Sequence, residues 1–197
     1  MNIKQVVNIL KNGGVIVIPT DTVYGLACDA LNIDAVDKIY KLKQRNYSKP
    51  MVVLVSDKDM LKKYTSSINK LEEELINEYL PGPMTIVLKK SNLIHDIVSS
   101  NKDTIGIRIP NNKELIDIIK QLDKPIVATS CNISNEDVIT NISILDESIK
   151  NNVDYIYDGG VINRDSSTIV RVKDNKVEIL RKGSLATDIE SSFINRE

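Results

Sequence analysis

The sequence holds no tryptophan, one phenylalanine, one histidine and two cysteines in 197 residues. Each scarcity removes a class of chemistry. Cys28 and Cys131 are far apart, which leaves neither a disulfide framework nor a closely spaced thiol pair. His95 is the lone histidine, so ordinary zinc ligation cannot be assembled from it and two distant cysteines. A Ser-His-Asp triad would have to use it, yet His95 lies in a polar connecting stretch and reads as a surface residue. There is no GxxxxGK[ST] loop and no GxGxxG after the first strand, so those two phosphate cradles are missing. No apolar run reaches membrane length and Met1 to Leu10 lacks a signal-peptide core, so a cytoplasmic location is expected. With 26 Lys and Arg against 27 Asp and Glu, no overall basic field exists to hold nucleic acid.

What is present fits one ordinary domain over residues 1–197, with no linker, repeat or low-complexity run. Hydrophobic content of 42% and charged content of 27% suit a globular chain with a real core. Asn2 can cap a helix whose Ile3, Val6, Val7 and Leu10 share a face, ended by Gly13-Gly14. Val15 to Ile18 reads as a strand buried on both faces. A helix capped by Asp34 follows, then a strand at Met51 to Val55 and helices over 57–64 and 67–80. Pro81-Gly82-Pro83 stops the second of these. Further strands are expected at Met84 to Leu88, Thr104 to Ile109 and Ile126 to Thr129, the last two separated by a helix. Thr168 to Val172 and Val177 to Leu180 flank Asp174-Asn175, a hairpin turn. Alternating helices and strands with a late hairpin give an α/β domain built on a mixed sheet.

The chemistry-bearing pieces are short, and each has a bland reading beside it. Pro19-Thr20-Asp21-Thr22 is a hydroxyl-rich loop after a strand, or simply a turn, since all these residues form turns. Lys43, Arg45 and Lys49 place three cations in seven residues, either for a polyphosphate or as a solvated helix face. Arg108 alternates with apolar residues in a strand, so it lies on an edge face or points into a polar pocket. Ser130-Cys131-Asn132 sits just past a strand's carboxyl end, where ligands of open α/β sheets gather.

Taken together, PTDTVYGL at 19–26, KQR at 43–45, KP at 49–50, PGPMT at 81–85, TIGIRIP at 104–110, TSCNIS at 129–134, SSTIV at 166–170 and LRKG at 180–183 match one family. From about Gly13 to Gly183 the chain resembles the YrdC-like threonylcarbamoyl-AMP synthases, in their short single-domain form. The resemblance implies a twisted mixed β-sheet, flanked by helices, that curves around a concave, positively charged cavity. It also implies an enzyme that joins L-threonine, bicarbonate and ATP into L-threonylcarbamoyl-adenylate, releasing pyrophosphate. A partner transferase would then carry the group to tRNA, so tRNA belongs to the downstream step. Carried over by position, Lys43 and Arg45 would be catalytic. Arg45, Lys49, Thr104, Ser130, Asn132 and Arg181 would bind ATP. Thr22, Tyr24, Arg108 and Ser167 would bind threonine. Magnesium would ride on the triphosphate, with no metal ligand from the protein.

Four positions depart from the family's commoner pattern. Gln44 stands in place of a glycine and is expected to face away, Cys131 in place of an alanine, Asn135 in place of a glycine, and Leu54 where some members carry a histidine. Two other readings carry their own discriminators. A carbamoyl-adenylating domain of hydrogenase maturation would be expected inside a longer chain with zinc-finger modules. A non-catalytic RNA-binding module would show salt-dependent RNA affinity without pyrophosphate release.

Overall fold

In the computed structural model, which describes residues 1–134, 137–162 and 164–194, ten strands join in one mixed sheet. They are β1 (Ile16–Pro19), β2 (Tyr24–Asp29), β3 (Val52–Leu54), β4 (Thr65–Ser67), β5 (Met84–Lys90), β6 (Thr104–Arg108), β7 (Ile126–Ser130), β8 (Tyr155–Ile156), β9 (Thr168–Lys173) and β10 (Lys176–Arg181). Their spatial order is β10-β9-β5-β6-β3-β7-β2-β1-β8, with β4 added beside β5. The β1–β8, β3–β6 and β5–β9 pairs are parallel and the others antiparallel. The helices are α1 (Ile3–Lys11), α2 (Ile33–Leu42), α3 (Lys58–Tyr64), α4 (Lys70–Tyr79), α5 (Asp96–Ser99), α6 (Lys113–Leu122), α7 (Glu147–Lys150) and α8 (Ala186–Ile189).

Two apolar cores clothe the sheet. On one face Val6 and Leu10 of α1 and Leu115, Ile118 and Ile119 of α6 pack with Ile16, Ile18 and Ile126. On the other, Val36 and Ile39 of α2 and Leu75 of α4 pack with Val15, Val17 and Val53. Alternate residues of the Val15 to Ile18 run therefore serve opposite faces, which is why it reads as continuously apolar.

Most expected elements are present with shifted ends. The Asn2 cap accepts the Gln5 amide as expected. The hairpin turn falls at Asp174 and Asn175, both with positive φ (50° and 56°), the backbone a two-residue hairpin of this twist requires. Three readings need correction. Asn32, not Asp34, caps α2, accepting the Ala35 amide, while Asp34 sits in the first turn. The helix expected over 67–80 spans only Lys70–Tyr79, because Thr65–Ser67 pairs with β5 and Asn69 begins the helix with a capping box. No element was expected over Tyr24–Asp29, yet it is a strand between β1 and β7 with every residue buried. Burial on both faces erases the alternation that would have marked it. His95 is exposed at the start of α5. Asn135 lies outside the described residues.

Candidate active site

The turn between β1 and β2 is locked by one hydroxyl. Thr20 Oγ1 accepts the amides of Thr22 (3.0 Å) and Val23 (3.2 Å) and donates to the Val23 carbonyl (2.7 Å). Thr22 Oγ1 stands 3.0 Å from Thr20 Oγ1, a contact in which either hydroxyl can donate. Thr22 Oγ1 also accepts from Arg108 Nη1 at 3.1 Å. One hydrogen-bonding site of Thr22, a lone pair or the proton, remains for a group in the cavity.

Arg108 closes β6, beside Leu54 of β3 in the register. It is 5% exposed. Its Nε donates to the Gly82 carbonyl (2.9 Å), and Nη2 pairs with the buried Asp21 carboxylate. Asp21 Oδ2 in turn accepts the Asn111 amide at 3.0 Å.

Arg45 is placed by the end of α2. The Gln44 amide donates to Lys41 O and the Arg45 amide to Tyr40 O, the crossed pair of a Schellman turn. The Arg45 side chain then donates to the carbonyls of Lys49 (3.1 Å) and Pro50 (2.9 Å). Gln44 faces solvent, as expected, with φ of 48°. A side chain in that left-handed region costs about 1 kcal/mol that glycine would not. Gln44→Gly should therefore stabilise the fold by about 1 kcal/mol in urea unfolding while leaving the cavity intact. An unchanged or lowered midpoint would contradict the strain.

Arg181 ends β10 and is tied to the start of β9. It donates to Ser167 O (2.8 Å) and Ser167 Oγ (2.9 Å), and Ser167 Oγ also bonds Thr85 Oγ1 (2.9 Å). Gly183 permits this close approach, because a Cβ there would stand 2.1 Å from the Ser166 carbonyl oxygen.

These pieces surround a cavity of about 190 Å³ whose lining includes Thr22, Arg45, Arg108, Ser130, Ser167 and Arg181, with Val52 and Leu54 as an apolar wall. Among the described residues no aspartate or glutamate lines it. Burial pushes the Arg181 guanidinium below its usual pKa, and the charges of Arg108 and Arg45 add to the effect. Burial acts likewise on Arg45. Arginine stays charged despite such shifts, so the cavity gathers positive charge with no carboxylate among its described lining residues to answer it.

Six of the eleven named site residues line this cavity; the other five, Lys43, Lys49, Thr104, Asn132 and Tyr24, stand elsewhere. Lys43 corrects the picture of an exposed cation cluster, for it is 1% exposed. Its Nζ donates to the carbonyls of Ser130 (2.5 Å) and Asn132 (2.5 Å) and contacts Asn132 Oδ1 (3.2 Å), bracing the turn after β7. Burial, then the Arg45 charge, lowers its pKa to about 8. Ser130 Oγ also donates to Asn132 Oδ1 at 2.6 Å. Cys131 is buried in the same turn, and burial raises its thiol to about 12, so it stays protonated. Tyr24 is fully buried as a strut: its hydroxyl donates to Gly160 O (2.6 Å) and accepts from the Gly159 amide (2.9 Å). Lys49 is exposed in the turn after Arg45. Thr104 lies half-buried at the opposite end of β6 from Arg108.

Sequence reading missed Asp21, Thr20 and Ser166 as site residues. Asp21 and Thr20 sit inside the recognised motif, but nothing in a linear pattern pairs Asp21 with an arginine so distant in the chain.

The Sua5/YciO/YrdC family model, described as telomere recombination, matches residues 8–183. The chain belongs to this family. A Methanocaldococcus jannaschii member, named provisionally as a threonylcarbamoyl-AMP synthase, is 40% identical over 91% of this chain and 86% of its own length. The Bacillus subtilis threonylcarbamoyl-AMP synthase is 29% identical over 94% of this chain but 54% of its own. Among solved structures, Pyrococcus abyssi Sua5 complexed with L-threonine superposes with a TM-score of 0.91 at 29% identity, covering 96% of this chain and 56% of that one. The chain thus spans most of one relative and about half of the longer family members. The twisted mixed sheet expected from the sequence is the family's architecture.

Proposed function

We propose that this chain synthesises L-threonylcarbamoyl-adenylate from L-threonine, bicarbonate and ATP, releasing pyrophosphate. The observation that carries the reading is the cavity itself: three guanidiniums and a set of oriented hydroxyls, with no carboxylate among the described lining residues, in a family whose members include named threonylcarbamoyl-AMP synthases and a structure holding L-threonine.

The chemistry suits such a site. Threonine's amine attacks the carbon of bicarbonate, water leaves, and a carbamate forms. A carbamate oxygen then attacks the α-phosphorus as the bond to the β-phosphate oxygen breaks and pyrophosphate departs. Negative charge accumulates on phosphate oxygens, so fixed cations and positioning supply the acceleration. Arg108 would take the threonine carboxylate, Thr22 the amine through its remaining hydrogen-bonding site, and Leu54 and Val52 the methyl. Ser167 would close the threonine end. Arg45 and Arg181 would neutralise the phosphates, with Ser130 and Asn132 at the nucleotide, and Lys49 and Thr104 at its margins. Lys43 would act from beneath, holding the Ser130–Asn132 turn and adding its charge. Tyr24 would brace the loop at Gly159 and Gly160 rather than touch substrate.

Among the described residues no group of three or more His, Cys, Asp or Glu could hold a metal. Magnesium would therefore be carried on the triphosphate, its ligands phosphate oxygens and water, and would supply charge neutralisation there. No described helix is long and apolar enough to cross a membrane. Every strand among the described residues joins one sheet, which supports a single catalytic unit. The adenylate would pass to a transferase acting on tRNA, since with 26 basic against 27 acidic residues this chain has little to hold RNA on its own.

The test is pyrophosphate release from ATP with magnesium and bicarbonate, with and without L-threonine. Threonine-dependent release supports the proposal. Threonine-independent release, or none, removes it.

A further inference from the structure

Arg108 is held as a prepared fork, and what holds it is a carboxylate. A guanidinium has five N–H donors. Two of its donors are hydrogen-bonded before any ligand arrives, Nε to Gly82 O and one on Nη1 to Thr22 Oγ1, while Nη2 stands in an ion pair with Asp21 that makes no hydrogen bond. One N–H on Nη1 and those on Nη2 are left, and a carboxylate takes one from each nitrogen in bidentate fashion. Asp21 is itself fixed, with a side chain only 4% exposed and its second oxygen on the Asn111 amide. Its backbone carbonyl also accepts from Arg164 Nη1 at 3.3 Å. Asp21 does not line the cavity that Arg108 lines.

We propose that Asp21 is a positioning residue for threonine: it holds the Arg108 fork in its carboxylate-binding orientation and supports its charge, without touching substrate. This rests on Arg108 being the anchor for the threonine carboxylate. The logic is preorganisation. A buried arginine side chain free to rotate would have to be ordered as threonine binds, at the expense of affinity. An uncompensated buried guanidinium would also favour swinging toward water. Asp21 removes both costs from the binding step.

Asp21→Asn is the sharpest variant, being nearly isosteric. Its amide has one acceptor oxygen for two donors, so either Arg108 or the Asn111 amide faces an NH2 group. The expected result is a rise in the KM for L-threonine of about tenfold, with the KM for ATP within about twofold. L-threoninamide, which lacks the carboxylate, should lose far less than threonine does. Equal effects on threonine, threoninamide and ATP would mean a purely structural role and overturn the proposal. An unchanged threonine KM would overturn it as well.

If Asp21→Asn does not fold, the wild-type protein still decides. Its Arg108 guanidinium 15N–1H signals, without threonine, should be resolved and slowly exchanging for a held fork. Averaged signals from a freely turning group would overturn the proposal. Arg108→Lys separates this proposal from the reading beneath it. If that variant leaves the threonine KM unchanged, the anchor is not Arg108. If it raises the KM while Asp21→Asn does not, the anchor stands and the positioning role falls.

Discussion

Arg108→Ala should raise the threonine concentration for half-maximal pyrophosphate release about ten- to a hundredfold, the equivalent of roughly 1.5–3 kcal/mol for a lost charge-assisted bond. The change has a second consequence that can be read separately. Asp21 would keep its buried carboxylate and lose its ionic partner, an arrangement that costs about 3–5 kcal/mol of folding stability. Arg108→Ala is therefore expected to melt earlier as well as bind threonine poorly. Arg108→Lys keeps a charge near Asp21 and loses the planar fork, so its threonine defect should persist with a smaller stability loss. A threonine titration with unchanged half-saturation in either folded variant would remove Arg108 from the substrate site.

Lys43→Ala is expected to reduce pyrophosphate release about a hundredfold or more, the scale of losing a preorganised electrostatic contact. Unlike an exposed cation, Lys43 also supports structure. Its removal takes the charged donor from the carbonyls of Ser130 and Asn132, at about 1.5–3 kcal/mol for each charge-assisted bond lost. Loss of activity with a lowered melting temperature is the expected pair. Activity within about twofold of wild type, in a fold of normal stability, would contradict both roles.

The same residue gives a pH dependence with a defined sign. Burial lowers the Lys43 pKa from 10.5 to about 8. Below about 8 the ammonium is present with three donors; above it the neutral amine has two. Activity that depends on the cation should fall as pH rises through about 8, and titration-proof Lys43→Arg, if active, should lack that fall. Stability moves the other way. Between about 8 and 10.5 the unfolded chain binds the proton and the folded chain does not, so the Lys43 contribution to stability rises with pH over that window. An alkaline activity limb unchanged in Lys43→Arg would assign it to another group.

How much of this was legible in the sequence varies with the physics involved. Helix caps and the hairpin turn were readable because they depend on neighbouring residues, as with Asn2 and Asp174-Asn175. The strand Tyr24–Asp29 was hidden because burial on both faces leaves no alternation. In the site, hydroxyl and guanidinium identities were readable from motifs, and Thr22, Arg45, Arg108, Ser130, Ser167 and Arg181 do share one cavity. Direction was not. Lys43 stands two residues before Arg45, yet the tight turn at Gln44 sends Arg45 to the cavity while Lys43 goes beneath the Ser130–Asn132 turn. The Asp21–Arg108 pair and the Tyr24 tether to Gly159 and Gly160 join segments far apart in the chain. No local pattern encodes such contacts; only the sheet order brings them together.

The central claim is that this cavity joins three substrates into one adenylate, and labelled bicarbonate tests it most directly. The protein, incubated with ATP, magnesium, L-threonine and 13C-bicarbonate, should yield threonylcarbamoyl-adenylate heavier by the one labelled carbon, and none when threonine is omitted. Pyrophosphate release without a labelled adenylate, or no adenylate at all, would contradict the account.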